Sequence, residues 1–535
     1  MQVLNIDDCQ QVEQFRQLQE TLGERWQSIE GSTNSDVDIL VIPSLSIDQR
    51  ELKKIEGCEH YEERLLFALI RLWNPRNRLI YVTSVPLHPS IIDYYLQLLP
   101  GIPFSHARNR LLLLSTYDAS LKPLSQKILE RPRLVNRIRQ ALRIDKSFMV
   151  CYQSTDLEAE LSLKLGVPLY AAAPDLHNWG TKSGSRTIFA ESGVPHPDGS
   201  QLVWNHQDLA RVAAELWERQ PTLKRIVIKL NEGVSGEGNA VLDLRPIAHF
   251  ALPQGSHAER IAAISDRFST MSFQASQETW QNFSSRIVEL GAIVEAFVEG
   301  EIKRSPSVQG RITPLGDVEI LSTHDQILGG PDSQIYLGCR FPADEAYRLQ
   351  LQELGIKIGK KLAEKGALER YCVDFITVEE EDGTWDIQAI EINLRKGGTT
   401  HPFMTLKLLT NGRYNLETGL FCSQQGRPKY YIATDNLQKD QYHGLLPNDL
   451  MDIIAHHRLH FDTGTETGTV FHLMGCLSQF GKLGLTSIGD SPEQAETTYN
   501  KVVAVLDEEN LRYNGQEFSA FSEHSSPMSW DVSSY

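Results

Sequence analysis

The residues best suited to chemistry lie on two neighbouring segments in the second half of the chain. Read as a strand, the sequence IEINLR places Glu391, Asn393 and Arg395 on one face and apolar residues on the other. Carboxylate and amide oxygens are ligands that Mg²⁺ prefers, and Asp374 in the upstream segment YCVDFITV adds a second carboxylate. A turn in the intervening EEEDGTW would pair both segments as a hairpin and bring Asp374 near Glu391. Because Arg395 can bind a carboxylate or phosphate bidentately, the pattern indicates a site for a metal, a nucleotide and an anionic substrate.

A strand with alternating charges is also typical of a sheet face exposed to solvent, so two further segments decide between the interpretations. In RIVIKLNEGVSGEGNAVLDL, a β-branched run leads to Lys229 and then to a loop that contains Gly233, Gly236 and Gly238. Glycines let backbone N–H groups approach phosphate oxygens. The strand–loop–strand pattern therefore favours a flap over phosphates, with a plain glycine-rich hairpin as the alternative.

The second segment is HNWGTKSGSRTIFAESGVPHPDG, which predicts a helix capped by Thr181 or Ser183. The helix should reach about Glu191 and end at Gly193. Lys182 lies at the start of this helix, where the macrodipole disfavours a cation. A nearby anion would explain the lysine, and an ordinary surface lysine is the alternative.

In this order, the segments resemble the ATP-grasp superfamily over about residues 170–415. In this resemblance EAFVEGE is the hinge, which presents backbone groups to adenine. The resemblance implies that Lys182 and Lys229 contact the phosphates of ATP and that Lys229 is also catalytic. Glu295 and Val298 would hold adenine, and Glu301 would bind ribose. The full set implied for nucleotide binding is Lys182, Lys229, Glu232, Gly233, Ser235, Gly236, Gly238, Glu295, Phe297, Val298 and Glu301.

The same resemblance implies a metal site and a catalytic arginine. The residues implied to hold Mg²⁺, or Mn²⁺ in its place, are Asp374, Glu391 and Asn393. Arg395 corresponds to the arginine that assists the acyl-phosphate site in members similar to biotin carboxylase. D-Ala–D-Ala ligase-like members have an arginine two residues before the first metal-binding aspartate, where this chain has Cys372. The resemblance therefore implies that Arg395 stabilises the oxyanion, or that Arg370 reaches the site.

Two later stretches, residues 322–343 and 461–495, are similar to pheganomycin-type peptide ligases. This resemblance implies an enzyme that activates an amino-acid-like carboxylate with ATP as an acyl phosphate. The enzyme would couple that group to the amine of a small molecule or peptide and release ADP and phosphate. A small-molecule phosphotransferase and a non-catalytic nucleotide-binding regulator are the alternatives. His401 and His324 are candidates for a general base, although a lone histidine is more often structural.

Composition excludes some classes of partner. The chain has 535 residues and a net charge of −17, which argues against a nucleic-acid-binding surface. The basic run from Lys122 to Lys146 is the exception, and we interpret it as a solvated helix face. The seven cysteines form no C-x-x-C pair, and no leader or membrane-spanning run is evident. These features predict a cytoplasmic protein without membrane or nucleic-acid partners, and a homo-oligomer is possible.

The pattern of apolar residues predicts a mixed α/β and α+β fold. Residues 1–172 should form an N-terminal Rossmann-like domain, residues 173–425 the two-lobed ATP-grasp core, and residues 426–518 a small C-terminal α/β domain. Residues 519–535 read as a polar, flexible tail. The N-terminal strands are predicted near residues 37–42, 79–83, 111–115, 148–152 and 168–171. The helices are predicted near residues 61–73, 90–98, 125–143, 156–165 and 342–369, with a helical insertion over 251–289.

Overall fold

The computed structural model describes residues 6–30, 35–47, 52–53, 55–233, 238–275, 278–329 and 335–515. The predicted tail 519–535 lies outside these residues. Three sheets contain the described strands, namely a four-stranded parallel sheet, a four-stranded antiparallel sheet and an eleven-stranded sheet. The predicted combination of α/β and α+β architecture is confirmed.

The N-terminal sheet is parallel and has the strand order β3-β2-β1-β4. Every residue of β1 is buried, as expected for a parallel sheet that helices cover on both faces. The strands are β1 Val37–Ile42, β2 Asn77–Thr83, β3 Leu111–Ser115 and β4 Ser147–Cys151. The longer helical segments of this region are Ile6–Ile29, Cys58–Trp73, Pro89–Gln97, Phe104–Arg108, Leu124–Leu129, Pro132–Ala141 and Asp156–Leu165.

Two details of the N-terminal prediction were wrong. The predicted strand at 168–171 forms only an isolated bridge, between Leu169 and Met149. The predicted helix over 125–143 is two helices, with Pro132 as the first residue of the second. Proline lacks an N–H group and is accommodated at the start of a helix, so it separates the two segments.

Arg143 also pairs with Asp36 and Asp38, so the basic run is only partly a solvated face.

The second sheet is antiparallel and has the strand order β7-β6-β5-β8. Its strands are β5 Arg225–Leu230, β6 Asn239–Asp243, β7 Ser272–Phe273 and β8 Ala292–Ala296. The longer helices of this part of the chain are Lys182–Ser192, His206–Arg219, His257–Arg267 and Trp280–Leu290. The predicted helical insertion over 251–289 therefore contains two helices, but it also contains β7, which pairs with β6.

The large sheet forms the floor of the molecule's main cavity, and its principal path runs β14-β13-β10-β11-β12-β17-β16-β15. Strands β18 and β19 continue the sheet from β17, and β9 pairs with β13. The strands are β9 Lys303–Arg304, β10 Pro306–Ile312, β11 Val318–Gly329, β12 Ile335–Phe341, β13 Glu369–Glu379, β14 Trp385–Asn393, β15 Arg413–Asn415, β16 Leu420–Cys422, β17 Pro428–Gln438, β18 Gly468–His472 and β19 Lys482–Gly489. The longer helices are Arg348–Glu364, Thr400–Thr410, Pro447–His457 and Pro492–Gly515.

Helix Arg348–Glu364 lies within the range predicted from its apolar spacing. Leu351, Leu354, Ile358 and Leu362 are buried in the core beneath β10 and β13. Burying the apolar stripe of a helix against a sheet stabilises both elements. This packing supports the strands that carry the polar residues of the cavity.

The C-terminal strands extend the large sheet. Strand β17 begins at Pro428, close to the predicted boundary at 426, and pairs with both β12 and β19. One hydrophobic core also joins helix Cys58–Trp73 to helix Thr400–Thr410 and to β17–β19. The N-terminal and C-terminal regions therefore pack together beside one end of the cavity. None of the described helices is long and apolar enough to cross a membrane.

Candidate active site

Strands β13 and β14 form the predicted hairpin and bring its acidic residues together. Gly383 in the turn has a φ of 80°, a conformation that glycine adopts without strain. The pairing places Asp374 opposite Glu391 and Cys372 opposite Asn393. The amide of Asn393 donates to Asp374 Oδ2 over 3.2 Å, and Gln326 Nε2 donates to Asp374 Oδ1 over 2.6 Å.

The donor set at this hairpin fits a hard divalent cation. Burial and the neighbouring Glu391 carboxylate raise the pKa of Asp374 to about 7. The hydrogen bond from Gln326 lowers that pKa, but by less. Two carboxylates held side by side in a poorly solvated place repel each other, and a cation between them removes that cost. Oxygen atoms of Asp374, Glu391 and Asn393 are the ligands that Mg²⁺ takes, with water and phosphate completing its shell. These residues therefore suit the metal that the sequence predicted.

Lys182 reaches the acidic hairpin from the start of helix Lys182–Ser192. Thr181 caps that helix by accepting a hydrogen bond from Gly184 N, which confirms one of the two predicted caps. Lys182 Nζ donates to Glu391 Oε1 over 2.8 Å and to the carbonyl of Gly233 over 2.9 Å. The anion that the sequence predicted near Lys182 is thus Glu391, and the same ammonium also contacts the glycine loop.

The glycine loop joins β5 to β6, as the strand–loop–strand pattern predicted. Lys229 lies opposite Asn239 in this pairing, and Gly233 and Gly238 face each other across the base of the loop. A Cβ on either glycine would lie 3.2 Å from the Cα of the other, so the close approach of the two ends of the loop favours glycine. Glu232 lines the cavity beside His177. Two further predicted contacts, Ser235 and Gly236, lie outside the described residues.

Lys229 is held by a buried ion-pair network. Its Nζ lies 2.5 Å from Glu295 Oε2, and Arg186 Nη1 lies 2.9 Å from Glu295 Oε1. Burial alone would raise the pKa of Glu295, but the two cations outweigh it and hold that pKa below its usual value. Both oxygens of the carboxylate face these cations, and the backbone of Glu295 pairs with Val227 of β5. Glu295 also lines the cavity, and its contact with adenine stays a prediction.

We expect Arg186→Met to destabilise the protein by about 3 kcal/mol, because it leaves a buried carboxylate with one cation fewer. Urea unfolding of the metal-free protein measures this loss. Arg245→Met is the matched control, since Arg245 forms an exposed pair with Asp243 and should change stability far less. Equal effects of the two substitutions would show that the Arg186–Glu295 contact does not carry stability.

The predicted hinge is only partly at the cavity. Phe297 and Val298 line it, and the guanidinium of Arg225 lies 3.8 Å from the centre of the Phe297 ring. Glu301 is exposed and is not among the lining residues, so the structure does not bring it to the place expected for a ribose contact. The chain leaves β8 at Ala296, and Glu301 lies beyond it in the exposed stretch that precedes β9.

Arg395, and not Arg370, faces the cavity. Arg395 lies directly beyond β14 and donates from Nη1 to the carbonyl of Lys396 over 3.1 Å. Arg370 is buried beside Glu369 and Met404 and does not line the cavity. Of the two arginines left open by the sequence, only Arg395 is therefore placed to meet a substrate.

The two candidate histidines are core residues. His324 contacts the hydroxyl of Tyr431 over 2.7 Å, and burial lowers its pKa to about 3. His401 stacks on His472 at a ring distance of 4.0 Å, and burial lowers its pKa to about 4. Neither lines the main cavity, so neither is placed to accept a proton from an amine there.

The cavity that joins these groups has a volume of about 1320 Å³. Lys182, Lys229, Asp374, Glu391, Asn393 and Arg395 all line it, so the residues predicted from distant segments converge. Sequence reasoning missed another part of the wall, formed by Tyr61, Arg64, Tyr152, Asp435 and Lys482. These residues occur in segments that read as ordinary helix or strand, and no local pattern indicates that they meet.

Comparison with known proteins matches parts of this chain to two family models. The family described as IQCH-like, ATP-grasp matches residues 174–260 and 256–417, and the PGM1 C-terminal domain matches residues 449–502. The matched core covers both lysines, the glycine loop, the hinge and the acidic hairpin. Residues 174–417 therefore match an ATP-grasp domain, and the resemblance noted in the sequence is confirmed.

Individual relatives and one solved structure agree with this assignment. The chain is 28% identical over 477 residues to L-propargylglycine--L-glutamate ligase of Streptantibioticus cattleyicolor, covering 87% of this chain and 93% of the relative. It is 22% identical over 563 residues to IQ motif-containing protein H of Danio rerio, covering 97% of this chain and 53% of the relative. A complex of biotin carboxylase from Campylobacter jejuni with β,γ-ATP matches with a TM-score of 0.51 and 13% identity, covering 86% of this chain and 89% of the other. That structural likeness confirms the fold.

Proposed function

We propose that the protein is an ATP-dependent ligase that activates a carboxylate, of an amino acid or related acid, and couples it to an amine. The observation that carries this proposal is the convergence of two lysines, an acidic hairpin and Arg395 on one cavity. The similarity to a relative named as a ligase of two amino acids, over most of both chains, supports the same class of reaction. A nucleotide-binding regulator would have little need for Arg395 in addition to the phosphate and metal residues.

Each group has a distinct task in the proposed reaction. Lys182 and Lys229 bind the phosphates of the substrate ATP, next to Gly233 and Gly238 at the base of the glycine loop. Asp374, Glu391 and Asn393 hold Mg²⁺, which neutralises phosphate charge when bound. Glu295, Phe297 and Val298 hold adenine.

Arg395 orients the acyl substrate and stabilises the oxyanion that forms when the amine attacks. A free carboxylate does not react with an amine, because one of its oxygens would have to leave as oxide or hydroxide, and both are poor leaving groups. Attack of a carboxylate oxygen on the γ-phosphorus of ATP gives an acyl phosphate and ADP. The amine then attacks the acyl carbon, and phosphate leaves with the bonding electron pair and takes up, in net terms, the proton that the nitrogen loses. A fixed guanidinium beside the acyl carbon lowers the barrier to that step.

A trapping assay tests the proposal. The protein is incubated with ATP, Mg²⁺, hydroxylamine and each proteinogenic amino acid as the acid. Hydroxamate formed in step with ADP is the expected result, because hydroxylamine captures an activated acyl group. A stable phosphorylated product would indicate a phosphotransferase. Thermal stabilisation by ATP without ADP release would indicate a non-catalytic nucleotide-binding protein.

We also propose that the protein works in the cytoplasm on small-molecule substrates. The described cysteines are unpaired, which is typical of proteins in a reducing compartment. The proposed reaction consumes ATP, which that compartment supplies.

A further inference from the structure

The cavity extends well beyond the phosphate and metal residues. Its volume of about 1320 Å³ exceeds the range of roughly 300–1,000 Å³ that is typical of a pocket for one ligand. The extension is lined by Tyr61, Arg64, Tyr152, Asp435 and Lys482, which we call the interdomain annex. Residues of the N-terminal region and of strands β17 and β19 form it, and residues 397 and 398 of the loop after β14 line the cavity beside Arg64 and Tyr152.

Arg64 is the centre of the annex. Its guanidinium forms an ion pair with Asp435, donates from Nη1 to the hydroxyl of Tyr152 over 3.1 Å, and lies 3.9 Å from the centre of the Tyr61 ring. Arg64 Nε is buried and has no hydrogen-bond partner among the described residues. A buried donor without an acceptor is costly, so the hydrogen bonds of the Arg64 guanidinium are incompletely satisfied in this arrangement.

Lys482 supplies a second cation to the annex. It is only 5% exposed, and its Nζ donates to the hydroxyl of Tyr61 over 2.9 Å and to the carbonyl of Glu56 over 3.4 Å. No carboxylate of the described residues lies within ion-pair distance of that ammonium. Burial lowers the pKa of Lys482, although Asp435 partly offsets this effect. The positive charge of this ammonium is therefore only weakly neutralised by the surrounding residues.

The charges of the annex do not balance. Arg64 and Lys482 contribute two positive charges, and Asp435 contributes one negative charge that Arg64 already binds. The carboxylate of Glu56 also lines the cavity, but it is exposed and accepts a hydrogen bond from Gln438. An anionic group of a ligand in the cavity would neutralise the charge of Lys482 beside Arg64.

We propose that the interdomain annex binds the carboxylate of the amine substrate, so that the acceptor is an α-amino acid or a peptide with a free carboxylate. This inference rests on the proposed ligase function. The carboxylate to be activated must meet the γ-phosphate among Lys182, Lys229 and Arg395, which leaves the annex to the second substrate. The amine must be uncharged when it attacks. The carboxylate is therefore the charged group by which the protein can recognise an amino-acid acceptor. The product keeps that carboxylate free.

The first test uses the unmodified protein. Each proteinogenic amino acid is compared as acceptor with its α-carboxamide, and kcat/KM is measured by ADP release and product mass. We expect the free acid to be preferred by about 10- to 100-fold, the range for a hydrogen-bonded charged contact. Equal use of acid and amide would overturn the inference. Absence of hydroxamate with every acid in the trapping assay would instead contradict the proposed function itself.

The second test assigns the preference to the annex. In Lys482→Met, the ratio of kcat/KM for the acid acceptor to that for its amide should fall by about 10- to 100-fold. Lys439→Met is the matched control, because Lys439 pairs with Asp507 and does not line the cavity. Its ratio should equal that of the unmodified protein. A ratio that stays unchanged in Lys482→Met would overturn the inference, and if that variant does not fold, the comparison in the unmodified protein decides.

Discussion

Glu391→Ala is expected to lower the rate of ATP turnover by about 10³-fold or more. Glu391 faces Asp374 across the β13–β14 pairing and also binds Lys182 Nζ over 2.8 Å. Its removal therefore takes one ligand from the proposed metal site and frees a cation from the position in which it meets phosphate. Several kcal/mol of transition-state stabilisation depend on such charge neutralisation. Each loss of about 1.4 kcal/mol lowers the rate tenfold.

A control on the same hairpin separates this effect from damage to the fold. Glu379 lies at the exposed end of β13, away from the cavity, so Glu379→Ala should retain the turnover of the unmodified protein. ADP release at saturating ATP and Mg²⁺ measures both variants. Undiminished turnover in Glu391→Ala would show that the hairpin is not the metal site.

Arg395→Ala is expected to lower kcat by about 10²–10³-fold, as loss of an oxyanion-hole donor does. The side chain lines the cavity, and its only described hydrogen bond is to the adjoining Lys396 carbonyl, so its planar donors are available to a substrate. Because the stabilised charge develops only in the transition state, KM for ATP should change little while kcat falls.

Arg395→Lys provides a graded comparison for this prediction. Lysine keeps the charge but not the bidentate geometry, so it should recover only part of the loss. Arg413→Ala, at an exposed position of β15, is the matched control and should retain the kcat of the unmodified protein. A rise in KM for ATP with kcat unchanged in Arg395→Ala would place Arg395 in nucleotide binding instead.

The parts of the site that the sequence predicted are those with a local signature. Alternation along β14 and a glycine turn are enough to predict the hairpin that pairs Asp374 with Glu391. The cap at Thr181 and the glycine loop likewise arise from neighbouring residues. Short-range backbone rules decide such features, and tertiary packing leaves them in place.

The remaining parts depend on contacts between distant residues. Glu295 binds Lys229 because β8 pairs with β5 in a register that sets these residues diagonally, and no spacing along the chain encodes that register. Arg64 and Asp435 are 371 positions apart, so nothing near either residue indicates the pair. The joining of β17 to β12 likewise follows from strand pairing between regions that the sequence suggests are separate.

Isotope transfer tests the central claim most directly, because an acyl phosphate requires a covalent link between the carboxylate and the γ-phosphorus. The acid substrate is labelled with ¹⁸O in both carboxylate oxygens, and the protein converts it with ATP, Mg²⁺ and an amine in unlabelled water. The account predicts that each phosphate released carries one ¹⁸O atom from the acid. Phosphate that contains no ¹⁸O, formed while amide accumulates, would contradict it.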